Sequence, residues 1–480
     1  MTEGIASSRS ELGASEQLVV ERSAVFSKEL GLRDLVLTQI LFIIGLSWVG
    51  AAAKLGPSHV IFWLLAITLF YLPSAIVVIY LNRLMPLEGG LYQWAKLGFN
   101  EAAGFMVAWN LWLYVMTNTS EIGLQLATNL SYALGPGASW LASNKWVITL
   151  FSVFVMALLV IVSTIGLSVG KWVHNIGGLI MLAIFGALLL LPLLNVMRGT
   201  IRSYHPLATA VPVVSLFSLN ILGKLGFGAL GGFEYVAILA GETRSPARTV
   251  GRSVIVAAPL IAIMFILGTS SVLAFVRPDQ IDLIAPIPQV LSLGFNAFGL
   301  AAVIVPIALI LLMVLRVAQA SVNFTGLTRL PMVAGWDRLM PQWFTRLHPR
   351  FKTPVNSIVV VGIITIALGL ISLIGVGHQE SFQLLFNAGG IFYALTYLVM
   401  FAIPIFGLRT ATSAPPVWLR IAAMSGFVMT LLYVALSIFP IIDVKSSSLF
   451  TFKITSVVVA ANICGAAIFL LAKNRRKTGR

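Results

Sequence analysis

Long apolar stretches recur along almost the whole of this chain, and they fix what it can fold into. Each runs to about twenty residues or more, which is enough for a helix to cross the hydrocarbon core of a bilayer. Backbone polar groups in lipid must bond within the chain, so these stretches are helices rather than open strands. Twelve are predicted, at approximately 34–56, 60–82, 101–130, 147–166, 172–194, 213–240, 253–276, 291–320, 355–375, 382–406, 418–440 and 454–472. The expected fold class is therefore an all-α polytopic membrane protein. Of the 480 residues 59% are hydrophobic and 10% charged, against roughly 25% charged in a soluble domain.

The net charge of +15 does not point to nucleic acid, because the basic residues sit between the apolar spans rather than in an aromatic-interleaved patch. They report topology instead. With the N-terminus in the cytoplasm, most Lys and Arg fall on inner segments, among them Arg244, Arg248 and Arg252, then Arg329 to Lys352, then Lys473 to Lys477. The positive-inside rule then places both termini in the cytoplasm, with the plasma (inner) membrane as the expected location. Residues 1–33 read as a polar, mobile cytoplasmic tail without a cleaved signal peptide. A single transmembrane domain spans 34–472, and 473–480 form a second cytoplasmic tail. Cys464, the one cysteine, forms neither an internal disulfide nor a metal cluster and reads as a packing residue.

One apolar span carries a sequence unsuited to a continuous helix. Gly226-Phe227-Gly228-Ala229-Leu230-Gly231-Gly232 is followed by Phe233-Glu234, and each glycine costs a helix interior about 0.8–1 kcal/mol relative to Ala. An interruption is predicted between Gly228 and Gly232. Irregular backbone at membrane depth survives where it is buried in protein or lines a wet cavity, although glycines also serve close helix packing. Glu234, just beyond, is an expensive intramembrane carboxylate. The first span has a weaker signal in Gly45-Leu46-Ser47-Trp48. Ser47 is a suitable N-cap for a second half-helix, whose free N–H groups would attract a carboxylate; Gly45 and Ser47 also suit packing. Interruptions in spans one and six are what two inverted five-helix repeats produce.

Gly231-Gly232-Phe233-Glu234 with Leu239-Ala240-Gly241-Glu242-Thr243-Arg244-Ser245-Pro246 resembles the sixth-helix signature of the amino acid–polyamine–organocation transporters. Pro86-Leu87-Glu88-Gly89-Gly90-Leu91-Tyr92-Gln93-Trp94 is similar to the family's loop after helix two. Thr328-Arg329-Leu330-Pro331, Asp337-Arg338-Leu339-Met340-Pro341 and His348-Pro349-Arg350 are similar to its loop after helix eight. The resemblance implies two inverted five-helix repeats (about 34–194 and 213–406), broken helices 1 and 6, and two peripheral helices (about 418–472). Helix one departs from the family's usual Gly-Ser-Gly-Ile-Phe, and Met181 stands near the place where some relatives carry a lysine in helix five.

These features together predict a secondary transporter that moves an amino acid or related organic amine by alternating access, coupled to protons or to exchange. A polyamine or organocation carrier of the same fold is the alternative. The substrate-binding set is Gly45, Leu46, Ser47, Trp48, Phe227, Gly228, Ala229, Leu230, Gly231 and Gly232. Glu234, Glu121 and Arg316 are the candidates for coupling or amine recognition, with snorkelling as the other reading of Arg316. Lys224 is also read as snorkelling, His174 as a surface or packing residue, and Asn387 with Gly389-Gly390 as a possible cavity face. Glu242 reads either as a latch paired with nearby arginines or, equally, as a solvated loop charge, and Gly335 to Phe344 as an interfacial amphipathic helix. No metal, cofactor or catalytic centre is expected: no His/Glu cluster has metal-ligand spacing, and no phosphate-cradling Gly-x-x-x-x-Gly-Lys-Ser/Thr is present. A channel would need a continuous polar pore lining, which the sparse intramembrane charge does not supply.

Overall fold

The computed structural model describes residues 14–24, 26–283, 285–299, 301–372, 378–407, 414–440 and 446–477. In chain order its helices begin with α1 (Ala14–Ser23), α2 (Leu32–Ile43), α3 (Leu46–Ala53), α4 (Gly56–Leu84) and α5 (Leu91–Gly98). There follow α6 (Glu101–Ser120), α7 (Ile122–Leu134), α8 (Lys145–Ile165), α9 (Leu167–Met197) and α10 (Leu216–Gly223). Next come α11 (Tyr235–Ile238), α12 (Pro246–Phe275), α13 (Pro286–Asn296), α14 (Ala301–Leu327) and α15 (Leu330–Trp336). The last are α16 (Val355–Ser372), α17 (His378–Phe406), α18 (Val417–Ser437) and α19 (Ser447–Lys477). Among the described residues no strand forms; one isolated parallel bridge joins Leu30 to Thr243.

Eight of these helices are long and apolar enough to cross a membrane, and nine if the bent pair α2 and α3 counts as one span. The three other expected spans are interrupted or short. Residues 101–130 divide at Glu121, 213–240 divide at the glycines, and the expected 355–375 runs into residues 373–375, which lie outside the described residues. The expected 291–320 is also redrawn. Residues 286–296 form a separate helix, Gly299 turns the chain with φ +67°, and the long helix extends to Leu327.

The centre is built by α17 against α6 and α18, by α9 against α14, and by α2 against α9 and α12. Outward faces are apolar: Trp146, Leu150, Phe154 and Ile161 on α8 are exposed, as a lipid-facing stripe requires. Cys464 lies on such an exposed face of α19 and is not the packing residue expected. Within α4, Pro73 has no N–H to offer the Leu69 carbonyl. The helix widens into a π turn over Ile67–Tyr71, and Ser425 Oγ of α18 donates to Leu69 O at 2.7 Å.

Two surface expectations are corrected. The described part of the N-terminal tail is docked: Val19, Phe26 and Leu30 are buried, and Leu30 exchanges backbone bonds with Glu242 (3.0 Å) and Arg244 (2.9 Å). The apolar anchors explain why it does not stay in solvent. Gly335 to Phe344 is not one amphipathic helix, since α15 ends at Trp336 and Arg338 turns the chain at φ +57°. Asp337 is drawn inward by Lys96 (2.8 Å) and the Tyr92 hydroxyl, and Leu339 packs on Phe105 and Phe469.

Candidate functional site

Helix α2 stops at Ile43 and α3 restarts at Leu46, with a 46° bend between them. Gly45 is extended (φ −85°, ψ 123°) and takes the N-cap position. Ser47 therefore lies inside the first turn of α3 and is not the cap; a backbone already extended at Gly45 leaves the cap no need of a hydroxyl. Breaking the helix strands carbonyls that a continuous helix would pair. Gln319 of α14 covers them, its Nε2 donating to Leu41 O (3.0 Å) and Ile44 O (2.8 Å).

The second interruption falls where the glycines cluster. α10 is capped by Ser215, widens into a π turn over Lys224–Ala229, and leaves helical geometry at Gly231 and Gly232 before α11. Gly232 has φ +138°, and a Cβ there would stand 2.7 Å from both Ile43 and Phe42. The freedom of glycine is used here for a left-handed backbone pressed against the end of α2.

A cavity of about 120 Å³ lies between the two interruptions. Of the residues expected to bind substrate, Gly45, Ser47, Trp48, Phe227, Gly228 and Gly231 line it, and so does Arg316. Leu46, Ala229, Leu230 and Gly232 do not; they are packed into the surrounding core. Further polar lining comes from Tyr114, Asn118, Gln125, Gln319 and Asn323. Trp48 stacks obliquely on Phe386, with centroids 5.2 Å apart, and this pair also borders a second cavity of about 40 Å³ that contains Lys224 and Asn387.

Glu234 is buried and does not line the main cavity. Its carboxylate accepts from the hydroxyls of Tyr393 and Tyr397 of α17. Tyr397 Oη also accepts from the Gly232 N–H at 2.7 Å, and Tyr393 faces the cavity. Glu121 is buried at the junction of α6 and α7, off the cavity lining, within electrostatic range of Arg316. Arg316 does not snorkel away; it faces the cavity and donates to Gln319 Oε1 at 3.3 Å. Lys224 does not snorkel either: it is buried, bonded to Asn387 Oδ1 at 3.2 Å, and lies over the Tyr433 ring. His174 is buried in packing beside Ser321, and Met181 is buried in the core. Gly390 lines the cavity, whereas Gly389 packs against Thr117.

One end of the bundle is closed by polar contacts. Glu242 pairs with Arg329 rather than with Arg244 or Arg248. Glu88 Oε2 accepts from the Gly241 N–H at 2.6 Å, and Lys28 donates to the Gly241 carbonyl. Burial pushes the Glu88 carboxyl above its ordinary range, against the opposing pull of Arg329, the Gly241 N–H and Lys28. Tyr393, Tyr397 and Gln319 were not singled out from the sequence. The available signal was spacing: Tyr393 and Tyr397 fall four apart on one helical face, and Gln319 follows Arg316 by three.

Two interrupted helices that enclose a small polar cavity inside a bundle of long apolar helices define a membrane transporter. The chain belongs to the amino acid permease family, whose model matches residues 34–461, and it is an integral membrane protein. It is similar to an uncharacterized transporter of Legionella pneumophila, 25% identical over 386 residues that cover 78% of this chain and 80% of the relative. The probable agmatine/putrescine antiporter AguD of Lactococcus lactis is 21% identical over 83% of this chain and 82% of its own length. The low-affinity putrescine importer PlaP of Escherichia coli is 26% identical over 60% of this chain and 61% of its own length.

Proposed function

We propose that this protein is a secondary active transporter which moves an amino acid or related organic amine by alternating access, across a plasma membrane with both chain ends in the cytoplasm. The observation that carries the reading is the cavity between the two helix interruptions, lined from both by Gly45, Ser47, Trp48, Phe227, Gly228 and Gly231. A substrate held there touches the parts of the bundle least bound by helical hydrogen bonds, which suits a site exposed first to one side and then to the other. Twelve crossings as two inverted five-helix repeats and two peripheral helices are part of the proposal. The family match and the paired interruptions support it. Glu234, held by two tyrosines of which one faces the cavity, is the group proposed to carry the coupling proton.

The relatives named for putrescine and agmatine keep a polyamine in view as the alternative cargo. The test is a thermal-shift screen of the purified protein against amino acids and diamines, since a ligand bound to the native state raises the apparent melting temperature with its concentration. Concentration-dependent stabilisation by either class is expected. Its absence for both would contradict the reading.

A further inference from the structure

The charges around the cavity are arranged asymmetrically. Among the described residues, Arg316 is the one charged side chain that lines it. The two carboxylates of the neighbourhood lie off the lining. Glu234 has both oxygens engaged by Tyr393 and Tyr397, and Glu121 is buried off the lining, within electrostatic range of Arg316 but not in contact with it. A guanidinium carries five N–H donors. That of Arg316 makes one hydrogen bond to a protein acceptor among the described residues, to Gln319 Oε1, and forms no ion pair within 4 Å. Across the Trp48 and Phe386 pair, Lys224 sits buried in the second cavity with an amide oxygen and a ring face for company, and likewise without a carboxylate in contact. A charge at membrane depth is expensive unless something compensates it, and two cations flank this cavity without a contacting anion of the protein.

We propose that the anion in contact with Arg316 is part of the cargo: the substrate is a dicarboxylic amino acid whose side-chain carboxylate is received by Arg316. This rests on the reading of the cavity as the substrate site and narrows it. The planar fork of Arg316 matches a carboxylate with two parallel hydrogen bonds. Lys224 adds attraction for the same charge from the far side of the aromatic pair. The main-chain N–H groups of Leu46 and Ser47 at the start of α3, which receive no side-chain cap, suit the α-carboxylate. A diamine or a cationic amino acid meets the reverse: a cation in the lining, and no carboxylate oxygen there to accept its ammonium.

The test uses the full-length protein in detergent or nanodiscs, with affinities measured for glutamate, aspartate, glutamine, alanine, arginine and putrescine. Glutamate or aspartate is expected to bind about tenfold or more tighter than glutamine, the difference that a charge-assisted hydrogen-bonded pair supplies. Arg316→Gln should bring the glutamate-to-glutamine ratio towards one, and Arg316→Lys should retain part of it. A merely structural role would weaken both ligands together and leave the ratio unchanged; that result overturns the proposal. Tightest binding of a neutral amino acid, of arginine or of putrescine also overturns it, while leaving the transporter reading intact. Binding of none of the six contradicts the transporter reading itself.

Discussion

Glu234 and its two tyrosines concentrate the chemistry of the site at the residue scale. Tyr397 is bonded twice, donating to the carboxylate and accepting from the Gly232 N–H. Tyr397→Phe strands a buried N–H and removes one of the carboxylate's donors, so it should destabilise the protein by about 1–3 kcal/mol. A melting curve of the purified variant checks this, and a curve that overlays the unsubstituted protein contradicts it. Glu234→Gln keeps a side chain of the same shape, whose amide oxygen accepts from one hydroxyl and whose NH2 donates to the other, but it cannot release a proton. Uptake by this variant, at matched expression, is expected to lose its response to an imposed proton gradient. An unchanged response removes Glu234 from coupling.

At the scale of elements, the interruptions are held open by partners from elsewhere in the chain. Gln319→Ala leaves Leu41 O and Ile44 O unpaired, and faster hydrogen exchange over residues 40–48 is the expected result, with exchange at the original rate the contrary one. Arg329→Met breaks the buried pair with Glu242 and strands its carboxylate; a loss of about 3–5 kcal/mol is expected from the melting behaviour. The Glu88 carboxyl, raised by burial, binds its proton more tightly in the folded state. The stability it adds is complete below about pH 4.3, the value of a free glutamate, and is lost as pH rises through the folded value. Glu88→Gln should flatten that part of the stability profile. The break in the second interrupted helix was legible because four glycines in seven residues contradict a helix locally. The restart of α3 at Leu46 rather than after Ser47 was not, because an extended glycine needs no side-chain cap. Tyr393, Tyr397 and Gln319 lie far away in sequence, and only tertiary packing brings them to the breaks. The same packing buries Lys224, whose long aliphatic stem alone suits snorkelling.

On the scale of the whole molecule, the two ends of the described chain meet one end of the bundle. Lys28 reaches Gly241, which Glu88 also holds, while Arg476 pairs with Glu101 (2.6 Å) and reaches the Asp337 carbonyl (3.2 Å) near Lys96. Tags on the two termini should therefore be cut together by protease added to one face of oriented membranes, the cytoplasmic face under the charge rule. Cutting of only one of them contradicts this topology. The long apolar spans made the membrane class readable from the sequence. The cavity was readable only as two weak points whose meeting depends on the folded bundle. The most direct test of that meeting is counterflow in proteoliposomes: labelled amino acid is supplied outside vesicles preloaded with the unlabelled compound, with the protein compared against Gly228→Leu. A Cβ at Gly228 already stands 2.6 Å from the Trp48 ring, so leucine fills the cavity. Transient accumulation of label by the unsubstituted protein, abolished in the folded variant, is the predicted result. Label that only equilibrates, or accumulation that survives Gly228→Leu, would contradict a transport site between the two broken helices.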